Sequence, residues 1–254
     1  MAAVAVCTGG ASGIGRATAV ALGRRGASVM VGDVDEAGCE ETTALVREAG
    51  GEAEFLRADI AEPAEVEALV TAAVERFGRL DAAANVAGTH AGVGALTADV
   101  KEDDFDTQIR VNLRGTWLCV RAELRHMVSQ GSGSIVNVSS VSGLIAAAHG
   151  VGYSIAKHGI LGLTRTAAVE YAEHGIRVNA ICPGLVDTPL TERALAMEGD
   201  DPDAVLAQVV RDIPAGRMAT AEEIGECAAW LCLDSAPYLT GATITVDGGM
   251  TVRG

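Results

Sequence analysis

Short apolar runs alternate with helical stretches along the whole chain, and this alternation leaves few folds open. The runs fall at 3–8, 28–32, 53–58, 81–85, 134–139, 176–182 and 242–247. Several are continuously apolar, as in strands covered on both faces. Helical stretches lie between them at 14–25, 36–49, 64–77, 103–129, 152–174 and 221–231. Strand–helix–strand units of this kind build a parallel sheet, and right-handed crossovers then place helices on both of its faces. The expected architecture is a single α/β domain over residues 1–254, a doubly wound sheet of about seven strands. With 49% apolar residues but only 3% aromatics, Ala, Val, Leu and Ile must fill the core. One stretch stands apart. Residues 188–212 are acidic, carry Pro189 and Pro202, and read as a lid over a site rather than an ordinary surface excursion.

Charge excludes some partners. With 34 acidic and 19 basic residues, the net charge is −15. Nucleic acid and anionic membrane surfaces both demand clustered cations, so neither is expected as a partner. The six cysteines form no CxxC pair and no zinc spacing, so no metal is expected, and reduced thiols fit a cytoplasmic protein. Met1 runs almost directly into the first strand, so no signal peptide is expected. No uncharged apolar run reaches the roughly 18 residues of a membrane span.

The motifs point to chemistry. Thr8-Gly9-Gly10-Ala11-Ser12-Gly13-Ile14-Gly15 follows a strand and opens a helix. Such a turn brings backbone close to a pyrophosphate, which the helix N-terminus stabilises. Alone it is weak evidence, because α/β turns use glycine anyway. Asp33 ends the second strand, 18 residues after Gly15. A carboxylate there accepts hydrogen bonds from a ribose diol and repels a 2′-phosphate, and neither Ser12 nor Val34 offers that phosphate a positive charge. NAD is therefore favoured over NADP. Tyr153 and Lys157, four residues apart on a helix, share a face. An ammonium beside a phenol is expected to draw its pKa down toward working pH, as a general acid/base requires. Ser140 lies thirteen positions before the tyrosine.

Taken together, these residues resemble the short-chain dehydrogenase/reductase family, of the form that includes 3-oxoacyl carrier-protein reductases and hydroxysteroid dehydrogenases. The resemblance rests on the glycine motif, Asn85-Val86-Ala87-Gly88, Asn112, Ser140, Tyr153 to Lys157, Pro183-Gly184 and Thr188, with Tyr238 to Gly241 and Val246 to Gly249 near the end. It implies a Rossmann-type domain. Gly9, Ser12, Gly13, Ile14 and Gly15 would face the pyrophosphate, Asp33 the adenine ribose, and Asp59 and Ile60 the adenine. Asn85, Ala87 and Gly88 would shape the cleft floor. Pro183, Gly184, Val186 and Thr188 would approach the nicotinamide, and Lys157 its ribose. Many relatives carry Asn where this chain has Val86, a departure expected to touch the sheet more than the chemistry.

The resemblance also implies a mechanism. Tyr153 would act as acid/base, Ser140 would bind the same substrate oxygen, and Asn112 would hold a water linking Lys157 to solvent. Strand alternation means that only one of Ser139 and Ser140 can serve, and the motif selects Ser140. Ser142, Leu144 and His149 are the candidate substrate contacts. His90, His126, His158 and His174 read as ordinary surface or helix residues, and Trp117 and Trp230 as packing. The expected function is NAD-dependent hydride transfer with a secondary alcohol or ketone. Pocket walls are expected from 88–99, 142–152 and the 188–212 lid, read as mostly Ala, Gly, Val and Leu with few fixed polar anchors, which fits an apolar or weakly polar substrate. The resemblance implies a homotetramer packed through the long helices, with residues 250–254 reaching a neighbour. The alternatives are an NADP-dependent 3-oxoacyl carrier-protein reductase, a catalytically silent dinucleotide-binding protein, and a structural subunit of a larger assembly.

Overall fold

The computed structural model describes residues 2–195 and 202–252. Seven parallel strands form one sheet in the order β3-β2-β1-β4-β5-β6-β7. They are β1 (Val4–Thr8), β2 (Ser28–Asp33), β3 (Glu52–Arg57), β4 (Ala82–Asn85), β5 (Gly133–Val138), β6 (Ile176–Pro183) and β7 (Thr243–Val246). Each falls on one of the apolar runs. Side chains alternate between the two faces: Ala5 and Cys7 of β1 enter one core and Val6 the other. The sequence Ala82-Ala83-Ala84 is a poor strand former, yet β4 is held between β1 and β5, and pairing on both sides overrides propensity.

Helices cover both faces. α1 (Gly13–Arg24), α2 (Glu36–Glu48) and α9 (Ala221–Ala229) pack through Leu22, Val46 and Ile224 on one side. α3 (Pro63–Phe77), α5 (Thr116–Gln130) and α6 (Val151–Tyr171) pack through Leu69, Leu118 and Ala168 on the other. Their ends are marked in the sequence. Pro63 opens α3 and Gly78, at φ 88°, closes it. A reciprocal Thr220–Glu223 capping box opens α9.

One expectation needs revision. The long helix at 103–129 is not uniform: α4 (Glu102–Gln108) passes into a π-helical stretch at Ile109–Gly115 before α5 begins. The inserted turn carries Asn112. Residues 188–212 hold two short helices, α7 (Pro189–Leu195) and α8 (Pro202–Asp212). Residues 196–201 of that stretch, and 253–254 of the expected C-terminal arm, lie outside the described residues. Among the described residues, no helix is long and apolar enough to cross a membrane.

Candidate active site

β1 has β2 on one side and β4 on the other, and the chain's strand order reverses there. Loops leaving the strand ends diverge at such a point and open a crevice. A cavity of about 500 Å³ occupies it. Gly9, Ser12, Gly13, Ile14 and Gly15 line it, as do Asp33, Asp59, Ile60, Ala87, Gly88, Pro183, Gly184, Val186 and Thr188. Ser140, Ser142, Tyr153 and Lys157 border the same space. Residues spread over more than 170 positions of sequence thus meet on one surface.

The glycine turn fits a phosphate. A Cβ on Gly9, whose φ is +70°, would come within 2.6 Å of the Ala87 amide nitrogen. A Cβ on Gly15 would overlap the Gly9 carbonyl. Both glycines are therefore needed for the loop to close tightly against β4 and α1. Ser12 caps α1 without a side-chain hydrogen bond, which leaves the first amides of the helix open toward the cavity. Open amides and the positive end of the helix dipole suit an anion. At the neighbouring end of β2, Asp33 Oδ1 accepts from the Val34 (2.7 Å) and Asp35 (3.2 Å) amides, and Oδ2 from the Ala11 amide (3.1 Å). These bonds fix the carboxylate at the cavity edge. Val34, 55% exposed, offers no charge beside it. Arg16, the cation near the loop, is tied to the Ala11 carbonyl (2.6 Å) and Glu41 (2.8 Å).

The other end of the cavity carries the acid/base groups. Ser139 Oγ donates to the Lys157 carbonyl (2.8 Å) and so serves as a strut under α6. Ser140 Oγ accepts from the Ser142 amide (3.1 Å) at the cavity wall. Lys157 is buried, its Nζ donating to the Val138 carbonyl (2.9 Å) and lying 5.4 Å from the centre of the Tyr153 ring. The expected downward pull on the phenol is not found. Burial pushes Tyr153 up to about 12, with only the Ser140 hydroxyl acting the other way. Burial also brings Lys157 down to about 8, so its proton is held less firmly than expected. Desolvation disfavours both charged forms, and it is the leading cause of each shift.

Other placements also depart from expectation. Asn112 is not among the cavity-lining residues, and its side chain is tied to the loop after β4. Its Oδ1 accepts from the Thr89 amide (2.8 Å), and its Nδ2 donates to the Thr89 carbonyl (2.9 Å) and to Gln108. The π-helical turn thus clamps the loop after β4. Asn85 lies beneath the floor, donating to Glu123 (3.1 Å) and Asn137 (3.0 Å), and Val86 lines the cavity in its place. Leu144, half-buried, packs against the core group of Leu161, Ala180 and Cys182. His149 is exposed at φ 64°; its carbonyl and ring bond the Gly94 amide (2.8 Å) and carbonyl (3.2 Å), joining the two wall loops.

His90, read from the sequence as an ordinary surface or helix residue, instead borders the cavity and stands edge-on to Tyr153, with ring centres 4.5 Å apart at 90°. No pattern marks it, because only the path of the loop after Gly88 brings it to the tyrosine. A histidine two residues beyond the Asn85–Gly88 motif was the one available signal.

The chain is similar to several known proteins over nearly its whole length. The family model described as enoyl-(acyl carrier protein) reductase matches residues 9–251. Levodione reductase of Leifsonia aquatica is 41% identical over 98% of this chain and 94% of its own length. The crystal structure of levodione reductase superposes with a TM-score of 0.96 at 39% identity, covering 99% of this chain and 98% of that one. Cis-4-hydroxycyclohexanecarboxylate dehydrogenase of Sinomonas cyclohexanicum is 43% identical over 98% of this chain and 96% of its own. A 2,5-dichloro-2,5-cyclohexadiene-1,4-diol dehydrogenase of Sphingobium indicum is 42% identical over 97% and 96%.

Proposed function

The chain belongs to the short-chain dehydrogenase/reductase family, and from that premise we propose that it interconverts a ring secondary alcohol and its ketone with NAD. Membership makes it an oxidoreductase that uses a nicotinamide dinucleotide. The ring substrate draws on two relatives whose names specify hydroxylated six-membered rings. The choice of NAD rests on Asp33 at the cavity edge, where Arg16 is paired to Glu41 and Arg57 of the neighbouring strand to Glu65.

One observation carries the reading: Ser140, Tyr153 and Lys157 converge on the cavity that the open amino end of α1 also borders. When bound, the nicotinamide supplies or accepts the hydride. The protein's part is protonic and positional. With burial holding the phenol up to about 12, Tyr153 stands protonated at neutral pH and is set to donate to a ketone oxygen. Ser140 gives that oxygen a second hydrogen bond and stabilises charge as it develops. Lys157, fixed by Val138, lies close enough to bias the phenol and to hold a ribose hydroxyl. Asn112 keeps the Thr89 loop in place and acts through that loop.

The test is NADH formation or consumption on a panel of cyclohexanols, hydroxycyclohexanecarboxylates, cyclic diols and ketones. Turnover of at least one ring substrate, with NAD favoured over NADP, supports the proposal. NADH binding without turnover of any would point to a silent binding protein. We further propose a cytoplasmic homotetramer, assembled through exposed apolar side chains such as Trp117 on α5 and Val169 on α6. A monomeric native mass would contradict the assembly.

A further inference from the structure

We propose that His90 and Arg193 form a second anchor in the cavity, one that takes a carboxylate carried by the substrate alcohol. The inference rests on the oxidoreductase reading above and specifies its substrate class.

Charge is divided along the cavity. Among its described lining residues, the acids are Asp33 and Asp59, at the ends of β2 and β3. The cations are Lys157 and Arg193, on α6 and α7. Lys157 is committed to the Val138 carbonyl. Arg193 makes neither an ion pair nor a hydrogen bond among the described residues, whereas Arg114, Arg165, Arg177 and Arg211, which also lack an ion pair, each donate to a neighbouring oxygen. In a chain of net charge −15, a guanidinium left open at a cavity wall is conspicuous. Guanidinium is the group best shaped for a carboxylate, which it meets with two parallel N–H bonds.

His90 supplies the second contact. Its Nδ1 is buried without a hydrogen-bond partner, and its ring stands edge-on to Tyr153. Burial and the nearby charges of Lys157 and Arg193 push its imidazole down to about 4, so the ring is neutral at working pH. A neutral imidazole keeps one donor and one acceptor nitrogen. A buried polar atom without a partner is costly unless a ligand completes it. His90 therefore places an incomplete hydrogen-bonding group directly beside the acid/base residue. The same cavity wall also carries the apolar Val111, Val141, Leu190 and Val209. Such a space suits a hydrocarbon ring with the reacting hydroxyl at Tyr153 and Ser140 and an acid group at Arg193 and His90.

The experiment compares kcat/KM for cyclohexanol and for 4-hydroxycyclohexanecarboxylate with NAD, in the wild type and in Arg193→Gln, Arg193→Lys and His90→Phe. The wild type should prefer the acid. Arg193→Gln should lower kcat/KM for the acid by about tenfold or more beyond any loss on cyclohexanol, chiefly through KM. Arg193→Lys should recover part of that loss. His90→Phe, which keeps a ring against Tyr153, should narrow the preference in the same sense. Equal losses on both substrates would overturn the proposal. So would weakened NADH binding in Arg193→Gln that accounts for the whole effect, since the arginine would then serve the dinucleotide phosphates. A wild type that oxidises cyclohexanol with no preference for the acid overturns the anchor alone. A wild type that turns over neither alcohol overturns the ring-alcohol reading, and the anchor with it.

Discussion

Tyr153 and Lys157 lie one helical turn apart, and the spacing alone implies that the ammonium lowers the phenol. The spacing carries no information about burial. Once both groups are enclosed, burial raises Tyr153 to about 12 and lowers Lys157 to about 8. Two predictions belong at this scale. Tyr153→Phe should reduce kcat by about 10²–10⁴-fold, the usual contribution of a positioned acid/base, while NADH binding stays within about twofold. Steady-state kinetics and calorimetric titration measure the two parts; retained turnover would remove Tyr153 from its role. Lys157 is a base whose proton is lost near pH 8, so NADH affinity should be steady below that pH and weaken above it. Lys157→Arg, whose charge persists, should flatten the profile, and titrations from pH 6 to pH 10 would show this. His90 marks the limit of sequence reading here. Its role depends on how the loop after Gly88 folds, and no residue-type pattern encodes that path.

At the scale of elements, most boundaries were legible because apolar runs, Pro63, Gly78 and the Thr220–Glu223 pair are local signals. The π-helical stretch was not, since its apolar spacing differs little from that of a continuous helix. Its cause is tertiary: Asn112 reaches across to Thr89. Leu144 and His149 make contacts the sequence did not show, for a related reason. Both lie between Ser140 and Tyr153 in sequence, but one turns into the core and the other bridges to Gly94. Beneath the cavity floor, Glu123 of α5, Asn85 of β4, Asn137 of β5 and Thr164 of α6 form a buried polar chain. Burial raises the Glu123 carboxyl to about 8, so it stays protonated in the fold at neutral pH but ionises near pH 4.3 when unfolded. The folded state then binds the extra proton between those values. Its stability should be greatest near the acid end of this window and fall as pH rises through about 8. Glu123→Gln should remove much of that slope. Thermal midpoints from pH 5 to pH 9 would show it, and parallel curves for both proteins would contradict it.

For the whole molecule, the alternation of strands and helices specified the parallel sheet, and the sheet's reversal point specified where a ligand binds. The cavity gathers nearly all the predicted cofactor contacts, because loops at the carboxyl ends of β1, β4, β5 and β6 can meet only there. Substrate identity was less legible, since it depends on how α7 and the two wall loops close over the same space. In the proposed reading, cofactor choice turns on Asp33, whose carboxylate is fixed by three backbone amides at the cavity edge. A 2′-phosphate there would meet like charge, with Arg16 already paired to Glu41. Asp33→Ala should weaken NADH and narrow its advantage over NADPH; an unchanged ratio would mean that another group reads the ribose. The most direct measurement is calorimetric titration of the purified protein with NADH and with NADPH under identical salt and pH. The account predicts clearly tighter NADH binding. Equal or tighter NADPH binding would contradict it and bring forward an NADP-dependent, reductive role.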